Sequence, residues 1–184
     1  MSKKDSIKEC ALILFDQHGY KNVTADMIVE KANVSKGLLF FHYKNMEGLI
    51  RVIILDWLIL QWNALSTIEM SDLPLEKCID LVFEITKSGL QKHKSKYKLY
   101  FSIMLNEPNF VSKLDLNSIE EYKKMFECLR AIFRNGNVAN VEDEIIYLNS
   151  ILIGVEMTYC MNDETVGEQF FQTTKNMVLE RYNK

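Results

Sequence analysis

Residues 34–45, VSKGLLFFHYKN, place two lysines, a glycine and a histidine around an unbroken Leu-Leu-Phe-Phe run. Asn33 precedes this segment, where a tight turn between two helices favours a positive φ that Asn tolerates well. Ser35 then offers a side-chain oxygen to the first amides of a short helix from about Lys36 to His42. The pattern predicts a helix-turn-helix, whose second helix can enter the major groove of DNA.

Helical periodicity continues on both sides of this motif. We call the N-terminal helical unit that contains the motif the head. Apolar residues recur at helical spacing over residues 7–15, which predicts a first helix that ends at Gly19. Thr24 is an N-cap candidate for a second helix, which ends just before the turn. A fourth helix, from about Met46 to Leu60 after the cap candidate Asn45, is expected to connect the head to the rest of the chain.

The remaining sequence predicts a second helical domain. Seven glycines and two prolines in 184 residues are too few for the many turns of a sandwich or barrel, so we expect an all-α fold. Five further helices are expected at roughly 75–91, 95–106, 116–134, 142–161 and 164–182. We predict a helix-turn-helix DNA-binding domain over residues 1–48 and a helical effector-binding and dimerisation domain over residues 49–184.

Charge is divided unevenly between the two predicted domains. The formal net charge is −3, yet residues 1–51 contain eight Lys or Arg against six Asp or Glu, a net of +2. The other residues contain fourteen against nineteen, a net of −5. The basic excess on the head supports a double-stranded DNA partner, although only in combination with the motif.

Targeting, membrane and metal signals are missing from the sequence. The N-terminus lacks a signal peptide's apolar segment, and no unbroken apolar run approaches the roughly 18 residues of a membrane span, so a cytoplasmic protein outside the membrane is expected. Cys10, Cys78, Cys128 and Cys160 form no C-x-x-C pair, which favours free thiols over disulfides or a metal site. No metal and no cofactor is predicted.

Enzymatic function is disfavoured. None of the three histidines has an acidic residue three places before it, as a di-iron bundle requires. The sequence also lacks the G-x-S-x-G, Walker and G-x-G-x-x-G motifs. An all-α adaptor that binds protein without DNA is the alternative, but the turn chemistry and the Lys-Gly start of the following helix favour DNA.

The head carries an ordered motif over about residues 5–51. It reads ALILFDQHGYKNVTADMIVEKANVSKGLLFFHYKNMEGLI, with A-x3-F-x3-G-Y, a Thr, I-V-E-K-A-x-V-S-K-G, an apolar-aromatic cluster and E-x-L in sequence. This stretch resembles the TetR (tetracycline-repressor) family of bacterial transcriptional regulators. The resemblance implies a homodimeric regulator that represses from a palindromic operator and is released by a small apolar or aromatic effector, or a regulator with no small-molecule ligand.

The resemblance also implies which residues contact DNA. Thr24 corresponds to a phosphate contact, Lys36 and Gly37 to the groove-facing start of the recognition helix, and Lys44 to a further cationic contact. The predicted DNA contacts are Thr24, Ser35, Lys36, Gly37, Leu38, Phe40, Phe41, His42 and Lys44.

Three apolar residues of this set have two open roles. Leu38, Phe40 and Phe41 can contact DNA, Leu38 at thymine methyl groups, or they can fill the small three-helix core. The resemblance assigns Leu39 and Tyr43 to that core. Phe40 stands where the family usually has Tyr, so it cannot donate a hydroxyl hydrogen bond to a phosphate.

Effector and dimer contacts are predicted in the second domain, where Met and aromatic residues are plentiful and adapt to irregular apolar ligands. The predicted ligand contacts are Trp62, Tyr100, Met104, Tyr122, Phe126 and Met157. The predicted dimer contacts are Ile145, Leu148, Leu152, Gly154 and Val155 on the penultimate helix. The resemblance implies a two-fold, four-helix interface formed by the last two helices.

Overall fold

A computed structural model of the chain describes residues 2–68, 73–107 and 109–183, and every regular element in these ranges is a helix. The helices are α1 (Lys3–His18), α2 (Ala25–Ala32), α3 (Lys36–Tyr43), α4 (Met46–Leu65), α5 (Leu75–Asn106), α6 (Glu120–Asn135), α7 (Val141–Met161) and α8 (Glu164–Tyr182). Short 3-10 turns lie at Tyr20–Asn22, Ser112–Leu114 and Leu116–Ser118. The prediction of an all-α fold is confirmed.

Local capping chemistry sets the starts of the head helices. The Thr24 hydroxyl accepts a hydrogen bond from the Met27 amide at 3.3 Å, and the Ser35 hydroxyl accepts one from Leu38 at 3.2 Å. Asn33 adopts the left-handed conformation at φ 50° and ends α2, as predicted. These three features produce the two-helix motif.

The head closes around a small apolar core. Its fully buried side chains include Ile7, Ala11 and Ile28, and Leu39 joins them from α3. Tyr43 is also buried, and its hydroxyl donates to the Lys4 backbone carbonyl at 2.7 Å, which ties α3 to the start of α1. The predicted core roles of Leu39 and Tyr43 are confirmed.

α5 and α6 differ in detail from the sequence-based prediction. The two helices expected at 75–91 and 95–106 form a single element, α5, with a kink at His93, whose φ of −133° is not helical. α6 begins at Glu120 rather than near residue 116, because Asp115 takes a left-handed conformation at φ 50° and a 3-10 turn follows it. The predicted α-helical start at 116 was therefore wrong.

α4 belongs to both the head and the helical body formed by α5 to α8. By length and composition alone it is apolar enough to cross a membrane, and within the described ranges it is the one helix that meets this criterion. Its side chains Ile53, Ile54 and Trp57 are buried, and the helix packs against α5 and α6. Core packing accounts for its apolar character.

Polar contacts also join the head to the body. The Lys8 ammonium lies 2.7 Å from the Asp56 carboxylate, and Lys21 donates to the Asn106 side chain at 3.1 Å. Because these residues lie on α1, α4, α5 and the turn after α1, the head is held at more than one point.

Candidate nucleic-acid interface and effector cavity

α3 divides into a core face and a face open to solvent. Lys36, Gly37 and Phe41 are exposed, whereas Leu38 and His42 are half-buried beside them. Among the other predicted DNA contacts, Thr24, Ser35 and Lys44 are exposed at helix ends around this face. Most of the predicted DNA contacts are therefore solvent-accessible on α3 or at the ends of the neighbouring helices.

The two phenylalanines have separate environments. Phe40 is half-buried and packs against the head core, which favours the structural role that the sequence left open. Phe41 is 81% exposed, and its ring lies edge-on to His42 with centroids 5.3 Å apart. An aromatic side chain this exposed lacks intramolecular packing and is available to a partner surface.

Lys36 is the cation at the start of α3, and it has an acidic neighbour. Its ammonium lies 2.8 Å from the carboxylate of Asp26 in the first turn of α2. Both side chains are more than half exposed, so the pair contributes little to stability. A DNA phosphate or base can therefore compete for the lysine at low cost.

The turn between α3 and α4 is unusually tight. Lys44 has φ 64° and ψ −50°, and the Asn45 amide donates across it to the Tyr43 carbonyl at 2.7 Å. The Asn45 side chain then accepts from the Gly48 amide at 2.7 Å and caps α4. A positive φ is strained for a lysine, so packing on both sides must hold this residue in place.

Gly37 has no structural requirement for glycine. A Cβ at this position would meet only the Ser35 hydroxyl at 3.9 Å, and the φ of Gly37 is not positive. Glycine in a helix costs about 0.5–1 kcal/mol relative to alanine. The fold alone therefore does not account for glycine at this exposed position.

Gly37→Ala is expected to separate folding from DNA binding. The free energy of unfolding should rise by about 0.5–1 kcal/mol because the helix gains propensity, while DNA affinity falls because the methyl group meets the DNA. Urea unfolding and DNA titration on the same preparation measure the two effects. Unchanged DNA affinity would show that the backbone of Gly37 does not approach DNA.

A cavity of about 220 Å³ lies in the body, where α4, α5, α6 and α7 meet. Four of the predicted ligand contacts, Trp62, Tyr100, Tyr122 and Phe126, line it. Met104 and Met157 are half-buried and do not belong to its wall. Leu148 and Leu152, predicted as dimer contacts, line the cavity instead.

One carboxylic acid, Glu156 of α7, is part of this largely apolar wall. Burial alone raises the pKa of its carboxyl to about 8. The Glu156 side chain is half-buried at the cavity wall. The nearby Tyr97 hydroxyl instead donates to the Gln61 side chain at 3.3 Å.

The outer face of α7 and α8 is apolar and uncovered. Ile146 is 64% exposed and Met177 67% exposed, and Ile153 on α7 and Val166 and Phe170 on α8 are also exposed, although Ile153 borders the cavity as well. We define these five residues as the outer stripe. Side chains at this spacing on two adjacent helices form a surface suited to another helix pair.

The predicted dimer contacts divide between the core and this surface. Ile145, Leu148 and Val155 are buried in the chain's own core, so a partner cannot reach them and the prediction is corrected for these three. Leu152 is half-buried and faces the cavity. Gly154 is exposed, and a Cβ added to it would meet nothing within 4 Å, which leaves it open to a partner.

Three residues of these sites were missed by the sequence reasoning. Asp26 gave no sign that it would pair with Lys36, since the two lie on different helices. Glu156 is not among the predicted ligand contacts, because no motif or spacing marks it. Gly48 lies in the first turn of the predicted fourth helix, and a Cβ there would lie 2.1 Å from the Tyr43 carbonyl oxygen. Its place three residues after the Asn45 cap was the available signal.

Similarity to known proteins is strongest in the head. A family model described as bacterial regulatory proteins of the tetR family matches residues 7–53. IcaR of Staphylococcus epidermidis, the negative transcriptional regulator of the biofilm operon icaADBC, is 40% identical over 48 residues, and the match spans about a quarter (26%) of either chain. YvkB of Bacillus subtilis, an HTH-type transcriptional regulator, is 24% identical across 95% of this chain and 89% of its own.

Solved structures match the complete fold. A tetR family transcription regulator from Shewanella sp. PV-4 superimposes with a TM-score of 0.73 at 16% identity, over 100% of this chain and 97% of that one. A transcriptional regulator from Saccharomonospora viridis, solved in complex with choline, gives a TM-score of 0.72 at 12% identity over 95% and 94% of the two chains. Both matches show that head and body share the arrangement found in these regulators.

Proposed function

Because the chain belongs to the TetR family of bacterial transcriptional regulators, we propose that it represses transcription by binding a palindromic operator as a homodimer. A small molecule in the body cavity releases it from that operator. The description of IcaR as a negative regulator supports repression, since the likeness lies in the head. The expected place of action is the cytoplasm, where the bacterial chromosome lies.

The exposed face of α3 is the single observation that carries the DNA-binding proposal. It combines the Lys36 cation, the unobstructed backbone of Gly37 and the exposed ring of Phe41. A cation matches phosphate or guanine, an open backbone permits close approach, and an apolar ring can lie along the sugar edge. α3 therefore enters the major groove with its N-terminus leading.

Two heads related by two-fold symmetry must place their α3 helices in successive major grooves. The separation between the grooves is about 34–36 Å, so the operator is a palindrome or near-palindrome. The outer stripe supplies the contact between protomers. Symmetry of the protein and symmetry of the operator are thus linked.

Lys36→Ala should weaken operator binding about 10- to 100-fold, because it removes a cation and leaves Asp26 unpaired beside the phosphates. Lys98→Ala is the matched control, since Lys98 is an exposed lysine on α5 outside the head. Titration of labelled operator, once selected from genomic fragments, measures both affinities. Equal losses from the two variants would show that the DNA-binding face has been assigned to the wrong surface.

α4 provides the physical connection between effector and DNA. Gly48, near its start, packs on the end of α3, while Trp57 and Trp62, nine and fourteen residues further on, line the cavity. At a rise of about 1.5 Å per residue, these points are separated by about 14–21 Å of continuous helix. A ligand that displaces the cavity wall therefore moves the head, without a flexible linker to absorb the motion.

Thermodynamic linkage determines how much the ligand lowers the affinity of the protein for its operator. If the ligand prefers a dimer whose heads are wrongly spaced, it lowers DNA affinity by the same factor by which DNA lowers ligand affinity. Coupling of about 1–3 kcal/mol corresponds to about 5- to 150-fold. The S. viridis regulator in complex with choline supports a small-molecule ligand for this fold.

A further inference from the structure

Six aromatic side chains among the described residues line the body cavity, whose wall is largely apolar. Trp57 lies edge-on to Tyr97 with ring centroids 4.5 Å apart, and Trp62 lies edge-on to Tyr122 at 5.2 Å. Phe126 continues the second group, with its ring centroid 4.8 Å from that of Tyr122. The rings reach the cavity from α4, α5 and α6, so they surround a ligand on several sides.

Glu156 reaches the same cavity from α7 and completes its wall. Within residues 2–68, 73–107 and 109–183 its carboxylate has no ion pair, and no donor in those ranges hydrogen-bonds to it. The other acids near the body core are different: Asp80 and Glu84, for example, both pair with the buried ammonium of Lys175. An acid without a partner in an apolar wall is costly unless a ligand supplies the missing partner.

We propose that the cavity binds a monovalent organic cation, whose charge is neutralised by Glu156 and whose surface is covered by the surrounding rings. This inference rests on the proposed function, because it names the ligand class of the effector site. The faces of indole and phenol rings carry negative electrostatic potential and attract a cation, whereas they offer a neutral polar ligand few hydrogen bonds. Among the described residues that line the cavity there is no Lys, Arg or His to pair with an anion.

The charge state of Glu156 makes cation binding sensitive to pH. Because burial raises the pKa of this carboxyl to about 8, much of the free protein carries the protonated form at neutral pH, and the cation displaces that proton into solvent. Affinity therefore falls as pH decreases below about 8.

The other titratable groups that line the cavity are the phenols of Tyr97 and Tyr100 on α5 and of Tyr122 on α6. The Cys160 thiol on α7 lies outside the wall, where it interacts electrostatically with Glu156 and with Lys94 and Lys98 of α5. Burial raises the pKa of Tyr97 and Tyr100, and it raises the pKa of Cys160 to about 11, so these three groups stay neutral below pH 8. The α4 side of the cavity contributes Gln61 and two tryptophans, which do not titrate.

The test uses phenyltrimethylammonium and its uncharged carbon isostere, tert-butylbenzene, with calorimetry on the DNA-free protein. The cation carries a permanent charge, so any pH dependence comes from the protein. We expect the cation to bind at least about tenfold more tightly than the isostere at pH 8.5, and to lose up to about tenfold in affinity per pH unit below 8.

Glu156→Gln keeps the shape of the side chain and should abolish both the cation preference and the pH dependence. Asp143→Asn is the matched control, because it removes one exposed carboxylate from the same helix outside the cavity wall. Its behaviour should equal that of the unmodified protein. Thermal unfolding without ligand verifies that both variants fold.

Three results would overturn the cation site: equal or tighter binding of tert-butylbenzene, absence of cation binding by the folded protein, or a Glu156→Gln variant that keeps the preference. The proposed regulatory function is tested separately, by adding the cation to the protein-operator complex. A cation that binds with the expected pH dependence yet leaves operator affinity unchanged would retain the site and reject its role in release.

Discussion

Phe170→Glu is expected to convert the dimer into monomers and to lower operator affinity by more than about 100-fold. Phe170 is 44% exposed at the middle of the α8 part of the outer stripe, close in helical register to Val166 and Met177. In a two-fold interface the substitution introduces two carboxylates into an apolar contact, and each uncompensated buried charge costs several kcal/mol. A monomer also reads one half-site, so it loses the contribution of the second head.

Gln172→Glu is the matched control for this change. Gln172 is exposed on the side of α8 away from the outer stripe, and its amide donates to Asn176 at 3.0 Å. The same added charge should leave the mass and the affinity nearly unchanged. Light scattering at micromolar concentration gives the mass, and operator titration gives the affinity. A dimeric Phe170→Glu variant would place the interface on another surface.

Gly48→Ala is expected to destabilise the head by more than about 3 kcal/mol and to remove operator binding with it. A Cβ at this position would lie 2.1 Å from the Tyr43 carbonyl oxygen and 3.3 Å from the Asn45 side-chain oxygen that caps α4. The obstructing atom is backbone, already fixed by the strained turn at Lys44. Relief therefore requires α3 and α4 to separate.

Gly37→Ala provides the comparison, because the same substitution there meets open space. Urea unfolding monitored by far-UV circular dichroism should show a large loss for Gly48→Ala and a small gain for Gly37→Ala. Both variants should bind operator poorly. Gly48→Ala loses affinity because the head is destabilised, and Gly37→Ala loses affinity because the added methyl group obstructs the DNA-binding surface. Full stability of Gly48→Ala would show that the α3–α4 junction is looser than its geometry indicates.

The head could be predicted closely because its signals are local. Thr24, Ser35 and Asn45 each cap the helix that follows, and Asn33 adopts the one conformation for which it is well suited. These interactions span three residues or fewer and are legible in sequence. The exposure of Phe41 could not be predicted from the sequence, because apolar composition alone does not distinguish a core residue from a contact residue.

The body could be predicted only in outline. α7 is apolar around most of its circumference, so periodicity did not show that Ile145 and Val155 face the core while Ile146 faces outward. Glu156 acquires its character from rings on three other helices, which no sequence spacing specifies. Free thiols were correctly expected at all four cysteines, of which Cys78 and Cys160 are buried.

Footprinting of operator fragments enriched from bacterial genomic DNA tests the central claim most directly, since it asks whether α3 reads DNA as part of a two-fold assembly. We predict protection of two symmetric half-sites with centres about 34–36 Å apart, and loss of that protection with Lys36→Ala. The claim would be contradicted if the protein enriched no fragment more strongly than the Lys36→Ala variant does. It would also be contradicted if the protein protected a single site without symmetry.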